Sequence, residues 1–205
     1  MAETLARELS KSDEYEVVQI CARNQERGKA VAALAGTACE SDPDRLAEAE
    51  IYLLAVSDRA IPELSERPDF GDGLVAHTSA TCDPKDLPPR TRRRGVFYPL
   101  QTFTAGREVD FRSIPLFIEA EREDDYTELK QLAETLSDSV YRSDSVLRRK
   151  MHVGAVFVCN FVNHLYAVGE QWMQANGLDF EVLKPLIAET AAKALEVESP
   201  AAVQT

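Results

Sequence analysis

Three apolar runs in this 205-residue chain end in small polar clusters, and a fourth apolar stretch carries polar side chains at helical spacing. The clusters are Ala55-Val56-Ser57-Asp58, His77-Thr78-Ser79 and Tyr98-Pro99-Leu100-Gln101-Thr102-Phe103. A histidine at a strand end can donate a proton to a carbonyl under reduction. It can equally be a buried, hydrogen-bonded ring that shapes its loop. Gln101 and Thr102 offer neutral hydrogen bonds that suit a carboxamide or a small polar substrate, while Pro99 stiffens the turn and the aromatics exclude water. A packed interdomain loop is the alternative use. Ser57 and Asp58 can line a ligand path, cap the next helix, or both. On a regular helix His152, Val156, Cys159 and Asn163 share a narrow arc, with Asn160 and His164 to one side. Polar groups on so apolar a helix need partners, which a substrate cleft would supply; otherwise they are satisfied core or interface polars.

Composition removes several function classes. Lys and Arg number 23 against 35 Asp and Glu, a net charge of −12, so a phosphate backbone or an anionic membrane surface would repel the chain. Cys21, Cys39, Cys82 and Cys159 lie far apart, with no CxxC pair and no metal-like spacing. The expectation is four reduced thiols in a cytoplasmic protein, with no bound metal and no secretory signal. The apolar stretch 153–169 is shorter than a membrane span and carries Asn160, Asn163 and His164, which favours a buried helix. Arg90, Arg92, Arg93 and Arg94 form one basic cluster, read as a solvated loop or as an anion site.

The elements that must position these residues alternate. Helix 2–11 precedes strand 15–21. A helix over 25–36 stops at Gly36, and a short strand near 37–40 and a helical turn near 43–49 follow. Strand 50–58, a helical segment 59–67 with Pro62 in its first turn, and strand 73–79 come next. A polar, proline-rich stretch spans 82–94, followed by an apolar run 95–103, strand 114–120, a helix from 123 with an acidic start, and strand 139–143. Continuous rather than alternating apolar strands imply a mostly parallel sheet covered on both faces. From 143 the chain is helical. A helix over roughly 144–175 breaks at Asn176-Gly177, and Asp179 caps another that runs to about Glu196. The longer one is apolar nearly all round, so it needs cover that one remaining helix cannot give, and a homodimer is expected. The domains expected are 1–142, α/β, and 143–205, helical and dimer-forming.

In dinucleotide-binding folds the first strand enters a G-x-G-x-x-[GA] turn, and a side chain about 20 residues later reads the adenosine ribose. With Ala2 as the last, small position of such a turn, that interval falls on Cys21-Ala22-Arg23-Asn24. No Asp or Glu stands there. Arg23 suits a 2′-phosphate, hence NADP(H), or is a solvated surface residue.

The segments AVSD (55–58), HTS (77–79), GVFYPLQTF (95–103), PLFIEA (115–120) and CNFVNHLYA (159–167) resemble, in order and spacing, a family of bacterial proteins. In that family a Rossmann-like domain is joined to the helical domain of unknown function 2520. The family is similar in architecture to pyrroline-5-carboxylate reductase and the β-hydroxyacid dehydrogenases. The resemblance implies a doubly wound α/β domain of order 3-2-1-4-5-6 followed by an all-α domain. It implies an NADP(H)-dependent oxidoreductase acting on a small, carboxylated carbonyl or imine compound, some relatives being linked to ketopantoate. Against the family pattern, this sequence lacks the first strand and both glycines of the turn, and the pattern continues past PAAVQT. A gap between strands 15–21 and 50–58 is therefore expected. Cofactor contacts implied are Ala2, Arg23, Asn24, the backbone of Ala55, Val56, Ser57 and Asp58, then His77, Thr78, Gln101 and Thr102. The Lys-x-x-x-Asn pair of similar dehydrogenases is absent, since Gly154 stands four residues after Lys150. His152, Asn163, Asn160 and His77 are thus the catalytic candidates. A sensor that binds NADP(H) without turnover, or an inactive fragment, would share the same cofactor residues.

Overall fold

The computed structural model describes residues 1–203. Five apolar runs become strands β3 (Ile51–Leu54), β4 (Leu74–His77), β5 (Arg93–Pro99), β6 (Leu116–Ala120) and β7 (Val140–Arg142), which lie side by side in that order. β3, β4 and β5 are mutually parallel, β6 runs antiparallel to β5, and β7 is parallel to β6. The sheet is mostly parallel and Rossmann-like. Strands β1 (Gln19–Cys21) and β2 (Ala38–Glu40) form a separate parallel pair. The runs 15–21 and 50–58 are therefore not hydrogen-bonded to each other, as expected.

The strand expected over 15–21 is shorter in the structure. With a ladder on one side only, hydrogen bonding covers just Gln19–Cys21, and Val18 is left exposed. The Gln19 side chain grips neighbouring backbone instead, donating to Arg45 O and accepting from Ala47 N–H at 2.9 Å. The apolar run 95–103 also shifts, because its strand starts at Arg93 and ends at Pro99.

Both sheet faces are covered. One face presents Leu74, Ala76, Phe97, Leu116 and Ile118 to α1 (Ala2–Leu9) through Leu5, and to α4 (Glu123–Leu136) through Leu129, Leu132, Ala133 and Leu136. Each leucine, isoleucine or phenylalanine so buried stabilises the fold by about 1.5–3 kcal/mol. Gly95 lets α4 lie flush: a Cβ there would stand 2.5 Å from Leu129 Cδ1 and 2.8 Å from Glu119 O. On the other face Leu54 and Val75 pack with Ile61 of α3 (Ala60–Glu66), Phe70 and Leu87, beside a cluster of Ala80, Val96, Tyr98 and Phe117. Helix α2 (Gln25–Leu34) covers the β1–β2 pair and ends before Gly36, whose φ of 65° suits a glycine.

The chain divides into two compact units, residues 1–153 and those from Gly154 onward. The division lies beyond the expected boundary at 142, because α5 (Ser145–Ala155) begins inside the first unit. Its Ser145 and Arg148 are buried there. In the second unit a π-helical segment, Val156–Phe161, leads into α6 (Val162–Ala175). Asn176 and Gly177, with φ of 69°, stop it. Asp179 accepts from Glu181 N–H at 2.9 Å, a 3-10 turn follows, and then α7 (Lys184–Glu196). The helical domain expected over 143–205 has Gln204 and Thr205 outside the described residues. The helix Ser145–Ala175 is long and apolar enough to cross a membrane by length and composition. Its apolar window is not buried within the chain.

Candidate active site

The carboxyl ends of β3, β4 and β5 converge, because the three strands are parallel and in register. There a cavity of about 320 Å³ opens among small groups: Ala55 and Val56 beyond β3, and Thr78, Ser79 and Ala80 beyond β4. Met1, at the N-terminus of α1, lines it too, so a helix N-terminus with its unpaired N–H groups faces the strand ends. Asp58, Thr81, Tyr98, Gln101 and His152 complete the wall.

The walls are held by local hydrogen bonds. Thr78 N–H donates to Leu54 O, tying the β4 end to the β3 end. Thr81 Oγ1 donates to Asp58 Oδ2 at 2.6 Å. Ser79 Oγ accepts from the N–H groups of Thr81 and Cys82, both at 3.0 Å, which folds the 79–82 turn. Neither Ser57 nor Asp58 caps α3 with its side chain. Their carbonyls take the N–H groups of Ala60 and Ile61 instead. The Ser57 side chain is exposed and is not part of the cavity wall.

His77 is fully buried, and both ring nitrogens are engaged by the loop that follows it. Ser79 N–H donates to Nδ1 at 3.2 Å, which places the ring proton on Nε2, 3.3 Å from Asp83 O. Burial pushes the imidazole pKa down, partly opposed by the Asp83 carbonyl, so the ring stays neutral. Of its two sequence readings, this geometry matches the loop-shaping one. His77 does not line the cavity.

His152 does. Its Nδ1 lies 3.3 Å from Tyr98 Oη, and the rings meet edge to face at a centroid distance of 6.5 Å. Tyr98 is 7% exposed, on the same sheet face as His77 and Val96. Burial pushes its phenol pKa up, with the Arg148 guanidinium pulling the other way. The helix carrying His152 is fixed one turn earlier. Arg148 is fully buried, ion-paired with Glu119 of β6, and donates to Cys82 O. Ser145 Oγ donates to Asp83 Oδ2 at 2.7 Å. Neither the Tyr98–His152 contact nor the Arg148 anchor was legible in the sequence, because each depends on a partner far away in the chain.

The other expected residues sit elsewhere. Arg23 is exposed just beyond β1 and has no ion pair among the described residues, so its guanidinium is free for an anion. Asn24 caps α2, its Oδ1 accepting from Arg27 N–H at 3.0 Å. Ala2, the first residue of α1, is exposed. Gln101 holds Thr102 N–H with its own Oε1 at 2.8 Å; Thr102 is exposed and outside the wall. Asn160, Asn163 and His164 belong to the second unit, where all three are exposed and Asn163 Nδ2 lies 3.8 Å from Cys159 Sγ. The regular-helix arc that grouped them with His152 is interrupted, because the π-helical segment 156–161 turns more slowly than an α-helix.

The arginine cluster divides: Arg90 and Arg92 are exposed loop residues, whereas Arg93 and Arg94 lie in β5. Arg93 pairs with buried Asp125 and with Glu128, Arg94 with Glu121, and Arg92 with Asp72. A larger groove of about 590 Å³ is lined by Glu8, Asp13, Glu14 and Glu134 against Lys11 and Arg112, a balance of charge that disfavours phosphate. No group of metal-ligating side chains occurs among the described residues.

Residues 1–75 match the family model described as NADP oxidoreductase coenzyme F420-dependent, and residues 114–205 match the domain of unknown function DUF2520. The crystal structure of an inferred NADP oxidoreductase from Bacteroides fragilis is 36% identical, with a TM-score of 0.90 over 99% of this chain and 79% of that one. The fold alone is shared with two more distant proteins. One is a pyrroline-5-carboxylate reductase from Coxiella burnetii, 17% identical, TM-score 0.60, covering 97% of this chain and 77% of that one. The other is a reductive aminase from Aspergillus terreus in complex with NADPH and ethyl-5-oxohexanoate, 9% identical, TM-score 0.72, covering 95% and 72%. Among curated proteins, none matches the chain. At this identity and coverage the chain belongs to the NADP oxidoreductase family in which a Rossmann-like domain is followed by the DUF2520 domain.

Proposed function

We propose that this NADP(H)-dependent oxidoreductase passes a hydride between the nicotinamide and a carbonyl or imine carbon of a small, carboxylated metabolite, with 2-keto acids such as ketopantoate as candidates. The observation that carries the reading is the cavity at the carboxyl ends of the parallel strands, where the Tyr98–His152 pair meets a wall of small polar groups. That is where open α/β sheets bind ligands. When bound, NADPH supplies the hydride. The residues present fit such a cofactor: a helix N-terminus at Met1 and Ala2 suits a pyrophosphate, and free Arg23 suits a 2′-phosphate. Small side chains at Ala55, Thr78 and Ser79 admit a flat ring. The volume of about 320 Å³ suits a small substrate beside that ring, at the small end of ligand cavities.

In this reading α5 closes the cavity through His152, and Gln101 orients substrate with the amide N–H groups not used on Thr102. Asn163 and Asn160 remain candidates for holding the substrate carboxylate. A second copy of the chain is proposed to cover the exposed apolar side chains of the helical unit, and the four free thiols support a reducing, cytoplasmic setting.

The test begins with fluorescence titration of the protein with NADPH and NADH. A panel of small 2-keto acids and cyclic imines is then assayed for NADPH consumption, with coenzyme F420 included as an alternative hydride partner. Preference for NADPH and turnover of a carboxylated carbonyl or imine is the expected result. Tight NADPH binding without turnover of any member would favour a sensor.

A further inference from the structure

Tyr98 and His152 differ in what surrounds them. Tyr98 is 7% exposed, wedged between Phe117, at a ring-centroid distance of 6.4 Å, and the His152 ring edge. Its hydroxyl has one partner among the described residues, His152 Nδ1 at 3.3 Å. His152 is only partly buried, one helical turn after an arginine that cannot move without breaking its pair with Glu119. Both residues line the same cavity. An inner hydroxyl therefore touches an outer imidazole, in a chain leading from solvent to the place where a substrate would sit.

We propose that Tyr98 and His152 form a proton relay into this cavity, Tyr98 donating to the substrate heteroatom and His152 refilling Tyr98 from water. The proposal rests on the hydride-transfer reading above. The carbon of the C=O or C=N bond receives the hydride, and the π pair moves onto the oxygen or nitrogen. That atom takes the phenolic proton, leaving Tyr98 as a phenolate. His152 returns a proton to the phenolate and regains one from solvent, so each turnover adds one hydride and one proton to the substrate. In the resting protein the phenol is the right form for an inner donor, since burial opposes its ionisation. The fixed charges beside it are few. Arg148, from the same helix as His152, neutralises Glu119 of β6, and Asp58 across the cavity is held by Thr81. His77, packed on the same sheet face, is kept out of the relay by its two backbone hydrogen bonds.

The test uses Tyr98→Phe and His152→Asn in the full chain, with three readouts. Turnover with the best substrate of the panel should fall about 100-fold for Tyr98→Phe, the usual weight of a positioned proton donor. For His152→Asn it should fall less and recover with added imidazole. NADPH affinity by fluorescence should be unchanged in both. The NMR ring-nitrogen chemical shifts of His152 should move in Tyr98→Phe, which reports loss of the hydrogen bond without any substrate. Full turnover in Tyr98→Phe, or unmoved His152 ring-nitrogen shifts, would overturn the relay alone. A wild-type protein that fails to bind NADPH, or binds it and reduces nothing, would overturn the hydride-transfer reading itself, and the relay with it.

Discussion

Arg148 of α5 and Glu119 of β6 form a buried ion pair that fixes the start of the helical region on the sheet. The same guanidinium donates to Cys82 O, and its Nε has no partner. Replacing one member of such a pair leaves the other charge poorly solvated, whereas replacing both with apolar residues can be nearly neutral. Arg148→Met should destabilise the first unit by about 3 kcal/mol, and Arg148→Met with Glu119→Met by clearly less. Urea unfolding of the two singles and the double supplies the cycle. Additive losses would show that the pair does not act as a unit.

His77 makes stability depend on pH. Buried and hydrogen-bonded as a neutral ring, it takes up a proton less readily folded than unfolded. The unfolded ring titrates near about 6.5. Below that value the unfolded chain binds the extra proton, so His77's contribution is complete above it and is lost as pH falls toward the depressed folded value. Thermal melts at about pH 7.5 and about pH 5.5 should show the lower stability at the acidic end. His77→Asn, though less stable throughout, should show a smaller difference between the two. An equal difference in both proteins would assign the dependence to other groups.

The pattern that positions the site was largely written in the order of residues. Continuous apolar runs at 50–58, 73–79 and 114–120 marked buried strands, and the polar residues ending the first two marked the cavity rim, because parallel β3 and β4 bring those ends together. What the sequence hid depends on distant partners. Arg93 and Arg94 read as solvated until Asp125, Glu128 and Glu121 are seen beside them. Tyr98 and His152 are 54 positions apart, and no local rule pairs them. The π-helical segment has no composition signal of its own, so an arc computed for a regular helix grouped Asn163 with His152.

Arg23 provides the test of cofactor choice. It is exposed beyond the end of β1, and no acidic side chain among the described residues pairs with it. A hydrogen bond to a charged group contributes about 1.5–3 kcal/mol, so Arg23→Ala should weaken NADPH binding roughly 10- to 100-fold and leave NADH binding nearly unchanged. Fluorescence titration with both nucleotides measures the ratio. Equal losses for the two would remove Arg23 from 2′-phosphate recognition.

The helical unit leaves Phe157, Val158, Phe161, Leu165 and Trp172 exposed, with Phe157 and Phe161 stacked edge to face at 5.1 Å. Phe161, Leu165, Val168 and Trp172, all exposed, recur every three or four residues, so they form one stripe along the helix. Aromatic side chains bury about 150–250 Å² each, and a stripe of this size exceeds what soluble monomers usually leave in water. A net charge of −12 disfavours an anionic bilayer as the cover. A second copy presents the same stripe and satisfies both chains at once, as a two-fold interface does. Sedimentation equilibrium should therefore report a dimer at micromolar concentration for the wild type. Phe157→Glu with Phe161→Glu should be monomeric, while the far-UV spectrum stays close to wild type, since both side chains are exposed. A wild type that stays monomeric up to high concentration, or partitions onto anionic vesicles, would reject the dimer.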